Sequence, residues 1–322
     1  MAAAKVLTTI DLLDMILVFQ DGLAADLLPF HAWNINHPRL HLVAPSFDIA
    51  AADLRQLDRL LGPWYRAYGL RRLHSHLLVR FPHWASGWIC QHAAWSGNLA
   101  VLRSLSPCVL ASTSDVLDIA SAARQLHVLA ALSHLSVSSR AFDWAAGHGY
   151  LDMIQWLAAA RPSPALSIRA IVSASTHGHL HVVEFLLPFY AEPTQDAMNA
   201  AAMHGHLNIV TFLHTNEWHC STLAIDMAAH NGHLNIVQFL HAHRTEGATT
   251  HAMDYAAKNG HLEVVKFLHR HRSEGCTTNA LMSACQRHHD DVVRFLTARN
   301  ARNNQSKADS IPNQCLRWIL SV

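Results

Sequence analysis

Charge is scarce in this sequence, and its cysteines are scattered. Only 15% of the 322 residues are charged, and 24 Lys and Arg residues nearly cancel 23 Asp and Glu residues, which leaves a net charge of +1. This balance gives no broad positive field for a phosphate backbone, so we expect no nucleic-acid partner. No two cysteines form a C-x-x-C pair, which favours a reducing, intracellular compartment, the cytoplasm or the nucleus. The cysteines are Cys90, Cys108, Cys220, Cys276, Cys285 and Cys315.

Long apolar runs and catalytic motifs are also missing. Residues 1–28 carry Asp11, Asp14, Asp21 and Asp26, which interrupt any signal-peptide core or membrane span. The sequence has no H-E-x-x-H motif, no P-loop and no G-x-S-x-G motif, each of which carries a particular chemistry. We therefore expect no membrane insertion, no cofactor and no enzymatic activity.

An internal repeat occurs eight times between Ser86 and Leu296. Consecutive anchor positions lie 25 to 29 residues apart, the extremes being the steps from Arg124 to Gly149 and from Gly149 to Gly178. A fixed period of this kind predicts stacked units that bury their apolar faces against their neighbours. The anchors are Gly97, Arg124, Gly149, Gly178, Gly205, Gly232, Gly260 and His288.

Each repeat predicts two short helices joined by a turn at the anchor. A Ser or Thr eleven residues before the anchor is a candidate N-cap for the first helix. A bulky residue at −7 and small residues at −4 and −3 share one face of that helix, and glycine at the anchor permits a positive φ. The second helix has apolar residues at +2, +4, +5 and +8, as in Leu234, Ile236, Val237 and Leu240. The hydroxyl residues are Ser86, Thr113, Ser138, Ser167, Thr194, Ser221, Thr249 and Thr277.

This pattern resembles the ankyrin repeat, whose core reads A-A-x-x-G-H-x-x-x-V-x-x-L-L. Residues 256–268 read Ala-Ala-Lys-Asn-Gly-His-Leu-Glu-Val-Val-Lys-Phe-Leu, and residues 228–240 follow the core equally closely. The family's T-P-L-H opening is replaced here, and the residues of its β-hairpin finger are missing. The resemblance implies an all-α fold, an ankyrin-like α-solenoid of about eight helix–turn–helix units preceded by a small helical N-terminal region.

The resemblance also implies a function. In ankyrin-like proteins the first helices line a concave binding face, so we expect a monomeric, non-enzymatic scaffold that binds a partner protein there. The residues at −5, −2 and −1 lie outside the apolar set and vary between repeats, and aromatic and Met side chains among them are typical of interface hot spots. The candidate partner-binding residues are Trp144, Met203, His204, Met227, His230, Asn231, Tyr255, Lys258 and Asn259.

Three domains are expected: a helical capping region 1–85, the repeat array 86–298, and a polar tail 299–322 with a short apolar cap. Within the first region, helices are predicted after Thr8, after Ser46 and from Leu70 to Val79. The segment from Val6 to Phe19 faintly resembles the opening helix of an F-box, which would make the chain a ubiquitin-ligase substrate adaptor that docks through residues 1–40 and selects substrate with the repeats. A third hypothesis makes residues 1–85 a catalyst and the repeats a targeting module.

Histidine is abundant, with 27 residues in the chain. Four of them follow an anchor glycine directly: His179, His206, His233 and His261. A metal site needs several ligands that converge at fixed distances, whereas these residues recur once per repeat. We therefore expect no metal site and predict that these histidines hydrogen-bond at helix ends or between repeats. Asp226 and His230 stand four residues apart on one helix, but Asp118, Asp143 and Asp254 fill the same repeat position without such a histidine. A hydrogen bond between repeats is therefore predicted for Asp226.

Overall fold

The computed structural model describes residues 30, 47–73, 78, 82–106, 110, 115–135, 137–160 and 166–303. The helix predicted after Thr8, half of the stretch from Leu70 to Val79 and the apolar segment near the C-terminus lie outside these residues. Helix α1 covers Phe47–Arg72, as predicted after Ser46, and kinks at Gly69, where φ is 66°.

From residue 82 onward, helices follow one another in pairs. The pairs are α2 (Pro82–Ser96) with α3 (Leu99–Ser104), α4 (Val116–Ala122) with α5 (Leu126–Ala131), α6 (Ser139–Gly147) with α7 (Leu151–Ala159), α8 (Ile168–His177) with α9 (Leu180–Leu186), α10 (Gln195–Met203) with α11 (Leu207–Thr215), α12 (Thr222–His230) with α13 (Leu234–His243), α14 (Thr250–Lys258) with α15 (Leu262–His271), and α16 (Thr278–Gln286) with α17 (Asp290–Asn303). A short 3-10 helix, Leu187–Phe189, follows α9.

These eight pairs coincide with the eight predicted repeats, and the described residues contain no strand. The all-α, ankyrin-like fold class is therefore confirmed. The predicted N-caps are only partly right. Helix α2 begins at Pro82, so Ser86 lies inside the helix and does not cap it. Ser167 and Thr194 stand at the N-cap positions of α8 and α10, but their side chains make no capping hydrogen bond. Helix α17 continues to Asn303, beyond the predicted end of the repeat array at residue 298.

The described residues divide between two compact units. One lies within Met1–Trp144 and Trp156–Ala165, and the other lies within Ala145–Gln155 and Leu166–Val322. In the first unit α1 packs on α2, and α2 packs on α4. In the second unit α8, α10, α12, α14 and α16 pack side by side, each with its own second helix beside it. The domain boundaries predicted at 85/86 and 298/299 do not follow this division and stay predictions.

The buried side chains follow the repeat register closely. In the repeat of α12 and α13, the −7 residue Ile225 and the alanines at −4 and −3 are buried, and Ile236, Val237 and Leu240 are fully buried. Leu234 differs from the expectation because it is only half-buried. As the first residue of α13 it lies where the helix leaves the turn, and the hydrophobic core begins at the following turn of the helix.

The anchor keeps a left-handed backbone in every repeat, including the two that lack glycine. Gly178 has a φ of 82°, and the anchors Arg124 and His288 have φ values of 57° and 58°. A left-handed conformation costs a non-glycine residue about 1–3 kcal/mol. The surrounding turn therefore imposes this backbone, and glycine satisfies it with less strain in the other repeats.

Candidate partner-binding face

Buried polar side chains link the first helices of neighbouring repeats. Asp226, 2% exposed on α12, accepts hydrogen bonds from the backbone N–H of Thr249 at 2.9 Å and from its hydroxyl at 2.7 Å. Thr249 in turn caps α14, since its hydroxyl accepts from the N–H of His251 at 3.1 Å. Asp226 therefore makes the predicted hydrogen bond between repeats, and its partner is Thr249 and not His230. The ring of His230 lies against Tyr255 instead, with centroids 5.3 Å apart.

The same link recurs with an aspartate or an asparagine at the −6 position. Asp254 accepts from the N–H and hydroxyl of Thr277 at 2.8 and 2.6 Å. In the repeat before, Asn199 accepts from the N–H of Ser221 at 3.1 Å and donates to its hydroxyl at 2.9 Å. Because the link sets where each first helix begins relative to the one before, equivalent outward positions line up in rows across α10, α12, α14 and α16.

The histidine after each anchor bonds to the preceding repeat. The Nε2 atom of His179 lies 3.0 Å from the carbonyl of Gly147, and that of His206 lies 2.9 Å from the carbonyl of Thr176. A carbonyl can only accept, so Nε2 carries the proton. In the other unit Gln125, which replaces the histidine, donates to the carbonyl of Trp95 at 3.1 Å. The predicted hydrogen bonds between repeats are therefore confirmed for His179 and His206.

Burial and crowding among these imidazoles favour their neutral form. Burial lowers the pKa of His179 below its usual 6.5, and the neighbouring His177, His181 and His148 lower it further, although the bond to Gly147 opposes them. Burial also lowers the pKa of His261, in the same direction as His230, His233 and His289. His179 and His261 therefore favour the neutral form at neutral pH.

Short loops with an internal ion pair replace the hairpin finger between the later repeats. Arg272 forms an ion pair with Glu274. Its Nη1 atom lies 3.4 Å from Nδ1 of His241 in the preceding repeat. A guanidinium only donates, so His241 accepts and is neutral. Burial and the charge of Arg272 lower the pKa of His241, while the bonds from Arg272 lower that of Glu274. Arg244, Glu246 and His214 repeat this arrangement one repeat earlier.

The rows of outward residues on α10, α12 and α14 contain eight of the predicted binding residues, which we name the first-helix face. Met203, His204 and Asn231 are exposed, and the other five are half-buried. The ninth residue, Trp144, is half-buried on α6 and belongs to the other compact unit. The first-helix face consists of Met203, His204, Met227, His230, Asn231, Tyr255, Lys258 and Asn259.

Two members of this face also hold the repeats together. The side-chain amide of Asn231 donates to the carbonyl of Met203 at 2.6 Å, and that of Asn259 donates to the carbonyl of His230 at 2.7 Å. Arg287, at the same position on the last repeat, donates to the side-chain oxygen of Asn259 at 3.3 Å. The row at −1 is therefore a chain of polar contacts between repeats as well as a surface.

Two residues beside the face were missed by the sequence analysis. Leu223, at the start of α12, is 51% exposed, and Arg287 extends the −1 row beyond Asn259. Both could have been found by carrying the repeat register to the first turn of the helix and to the last repeat. Sequence reasoning passed over Leu223 because its position, −9, is not one of the three positions from which the candidate residues were taken.

The stacked pairs, with a left-handed anchor and small residues between first helices, define an α-helical repeat protein. Comparison with protein families names the repeat: a family described as ankyrin repeats (3 copies) matches residues 225–307, and one described as ankyrin repeats (many copies) matches residues 198–241. Models of ankyrin repeats therefore match the C-terminal region of the chain, as the resemblance predicted. No protein with a curated description shows significant similarity to the chain.

The described residues contain neither a candidate membrane span nor a candidate metal-binding cluster. Among the helices of the described residues, none has the length and apolar character needed to cross a bilayer. The described residues also contain no group of three or more His, Cys, Asp or Glu side chains placed to hold a metal ion. Of residues 1–40, where the F-box resemblance lies, only Phe30 is among the described residues.

Proposed function

We propose that this chain is a non-enzymatic scaffold that binds a partner protein through the first-helix face. Ankyrin repeats are in general protein–protein interaction modules, and proteins of this family are typically non-enzymatic scaffolds. The proposal goes further than the family because it names the face. The scattered cysteines favour an intracellular location for it.

The proposal rests on a row of outward side chains that are not part of the buried hydrophobic core. Met227 and Tyr255 occupy equivalent positions on α12 and α14, which pack side by side. Neither is buried, whereas the two alanines that directly follow each of them are fully buried. Partly exposed Met and Tyr side chains beside one another are the kind of residue that carries binding energy in interfaces.

Affinity capture with the full chain tests the proposal. The variant Met227→Ala/Tyr255→Ala removes two side chains of the face, and Asn208→Ala/Gln238→Ala removes two exposed side chains of the second helices α11 and α13. Proteins retained from a native lysate by the unmodified chain should be lost with the first variant and kept with the second. If both variants retain the same proteins, the binding surface lies elsewhere.

A further inference from the structure

Acidic side chains are missing from the outward rows of the later repeats. The positions at −5, −2 and −1 on α10, α12, α14 and α16 hold no Asp or Glu, although the whole chain has almost as many acidic as basic residues. Both oxygens of Asp226 on α12 are bonded to Thr249, and both oxygens of Asp254 on α14 are bonded to Thr277. The exposed carboxylate on these helices is Asp196, in the first turn of α10 and outside the three rows. The residues in these rows are Ala200, Met203, His204, Met227, His230, Asn231, Tyr255, Lys258, Asn259, Ser283, Gln286 and Arg287.

Several cations elsewhere in the same unit are neutralised by nearby carboxylates. In the loops and second helices, Arg244, Arg272, Lys266 and Arg294 each pair with a carboxylate two or three residues away. Among the ion pairs of the described residues, none includes Lys258 or Arg287. Arg287 donates to the neutral side chain of Asn259. Lys258 of the first-helix face and Arg287 beside it therefore carry two positive charges that no ion pair within the described residues neutralises.

Apolar surface lies on the helices before these charges. Leu223, 51% exposed, precedes Met227 by one turn of α12, and Met203, 38% exposed, lies at the end of α10, which packs on α12. Partial desolvation and the neighbouring His206, His177 and His233 lower the pKa of His204, which favours its neutral form at neutral pH. Along the row, apolar character on α10 and α12 changes to positive charge on α14 and α16.

We propose that the first-helix face binds an acidic peptide segment that carries an apolar anchor. The anchor covers Met203, Leu223 and Met227, and the acidic residues meet Lys258 and Arg287. Packed helices lie about 8–10 Å apart, and an extended chain spans about 3.3 Å per residue. The apolar and acidic parts are therefore separated by about three to six residues. This inference rests on the proposed function and adds the chemistry of the partner.

Charge complementarity favours a peptide over a nucleic acid. A polynucleotide draws its affinity from many phosphate contacts, and this face offers two unpaired cations in a chain of net charge +1. The exposed leucine and methionines instead match the apolar core of a protein interface, whose charged groups lie at the rim and set specificity. The experiment below distinguishes nucleic-acid binding from peptide binding.

Selection of peptides from a random-sequence display library on the full chain tests the inference. Lys258→Glu/Arg287→Glu reverses the two unpaired charges, and Lys266→Glu/Arg294→Glu makes the same change of net charge on the second helices. Peptides enriched by the unmodified chain should combine an apolar residue with Asp or Glu. Synthesised and measured by fluorescence polarisation, such a peptide should bind the first variant at least about tenfold more weakly and the matched control nearly unchanged.

A third variant, Leu223→Ser/Met227→Ser, separates this inference from the proposed function. If the enriched peptides lack acidic residues and are lost only with the third variant, the chemistry is wrong but the face is right. If every variant keeps the peptides, or if none is enriched, both ideas fail. Tighter binding of a single-stranded DNA oligonucleotide than of the peptide overturns the inference in favour of nucleic acid. Circular dichroism melting checks each fold, and Lys258→Ala/Arg287→Ala replaces the charge reversal if that variant unfolds.

Discussion

The imidazole of His206 lies directly over Gly178, the turn glycine of the preceding repeat. A Cβ atom added to Gly178 would lie 2.7 Å from Cε1 of that ring, while Nε2 of His206 reaches the carbonyl of Thr176 at 2.9 Å. The anchor glycine thus has two reasons to be glycine: its φ of 82°, and the ring that the next repeat places against its α-carbon.

Gly178→Ala should therefore lower the free energy of unfolding by more than backbone strain alone. A left-handed alanine costs about 1–3 kcal/mol, and the clash with the ring adds to this. A double-mutant cycle isolates the cost of the clash. In a chain that carries His206→Ala the ring is absent, so Gly178→Ala should lower the free energy of unfolding by less. Urea denaturation of the four proteins gives the values. Equal losses in both backgrounds would mean that the ring does not constrain the glycine.

Asp226→Asn should be tolerated, whereas Asp226→Ala should not. Asn199 makes the same link one repeat earlier, so an asparagine at 226 can accept from the N–H of Thr249 and donate to its hydroxyl. Alanine leaves those groups without their partner at a buried site, at a cost of about 1–3 kcal/mol. Thermal melting of the two variants measures the difference. A loss with asparagine as large as that with alanine would show that the negative charge matters, and not the hydrogen bonds.

Leu240→Ala and Leu234→Ala separate the buried core from its edge. Leu240 is fully buried, and its truncation should cost about 2–5 kcal/mol. Leu234 is half-buried, so Leu234→Ala should lower the free energy of unfolding by less, because part of the side chain is already in contact with water. Urea denaturation compares the two variants, and a larger loss for Leu234→Ala would contradict the burial described here.

The repeat period, the helix pairs and the positive φ at the anchor could all be predicted from the sequence, because each depends on residues close together in the chain. The ring of His206 over Gly178 could not, since it depends on how far one repeat is displaced from the next. The half-buried state of Leu234 was missed for a related reason: periodicity assigns a side chain to a face but does not say where the neighbouring repeat ends. The bonds of Asn231 and Asn259 to the preceding repeats follow from the same displacement.

Acidification should destabilise the fold in the range where histidine titrates. Burial, joined by neighbouring positive groups, lowers the folded-state pKa of His179, His204, His241 and His261 below 6.5. The unfolded chain therefore takes up protons first as the pH falls below 6.5, and the free energy of unfolding decreases from there toward the folded pKa values.

Melting temperatures measured between about pH 8 and about pH 5 test this dependence, since unperturbed histidine is the side chain that titrates there. The melting temperature should be steady above the usual histidine pKa and fall below it. Glu274 has a lowered pKa, so its contribution is lost only at more acidic pH than the histidine range. A melting temperature that rises or stays constant down to about pH 5 would contradict the assignment of these imidazoles as neutral.

The most direct test of the proposed binding face is a hydroxyl-radical footprint of the unmodified full chain with a display-selected peptide bound. Oxidation reports the exposure of Met and aromatic side chains, and the face provides Met203, Met227 and Tyr255 as probes. Phe212 and Phe239 on the second helices serve as controls, since both are partly exposed. The account predicts that the peptide protects the first three side chains and leaves the two phenylalanines unchanged. Protection of the phenylalanines with no change at Met203, Met227 and Tyr255 would contradict it.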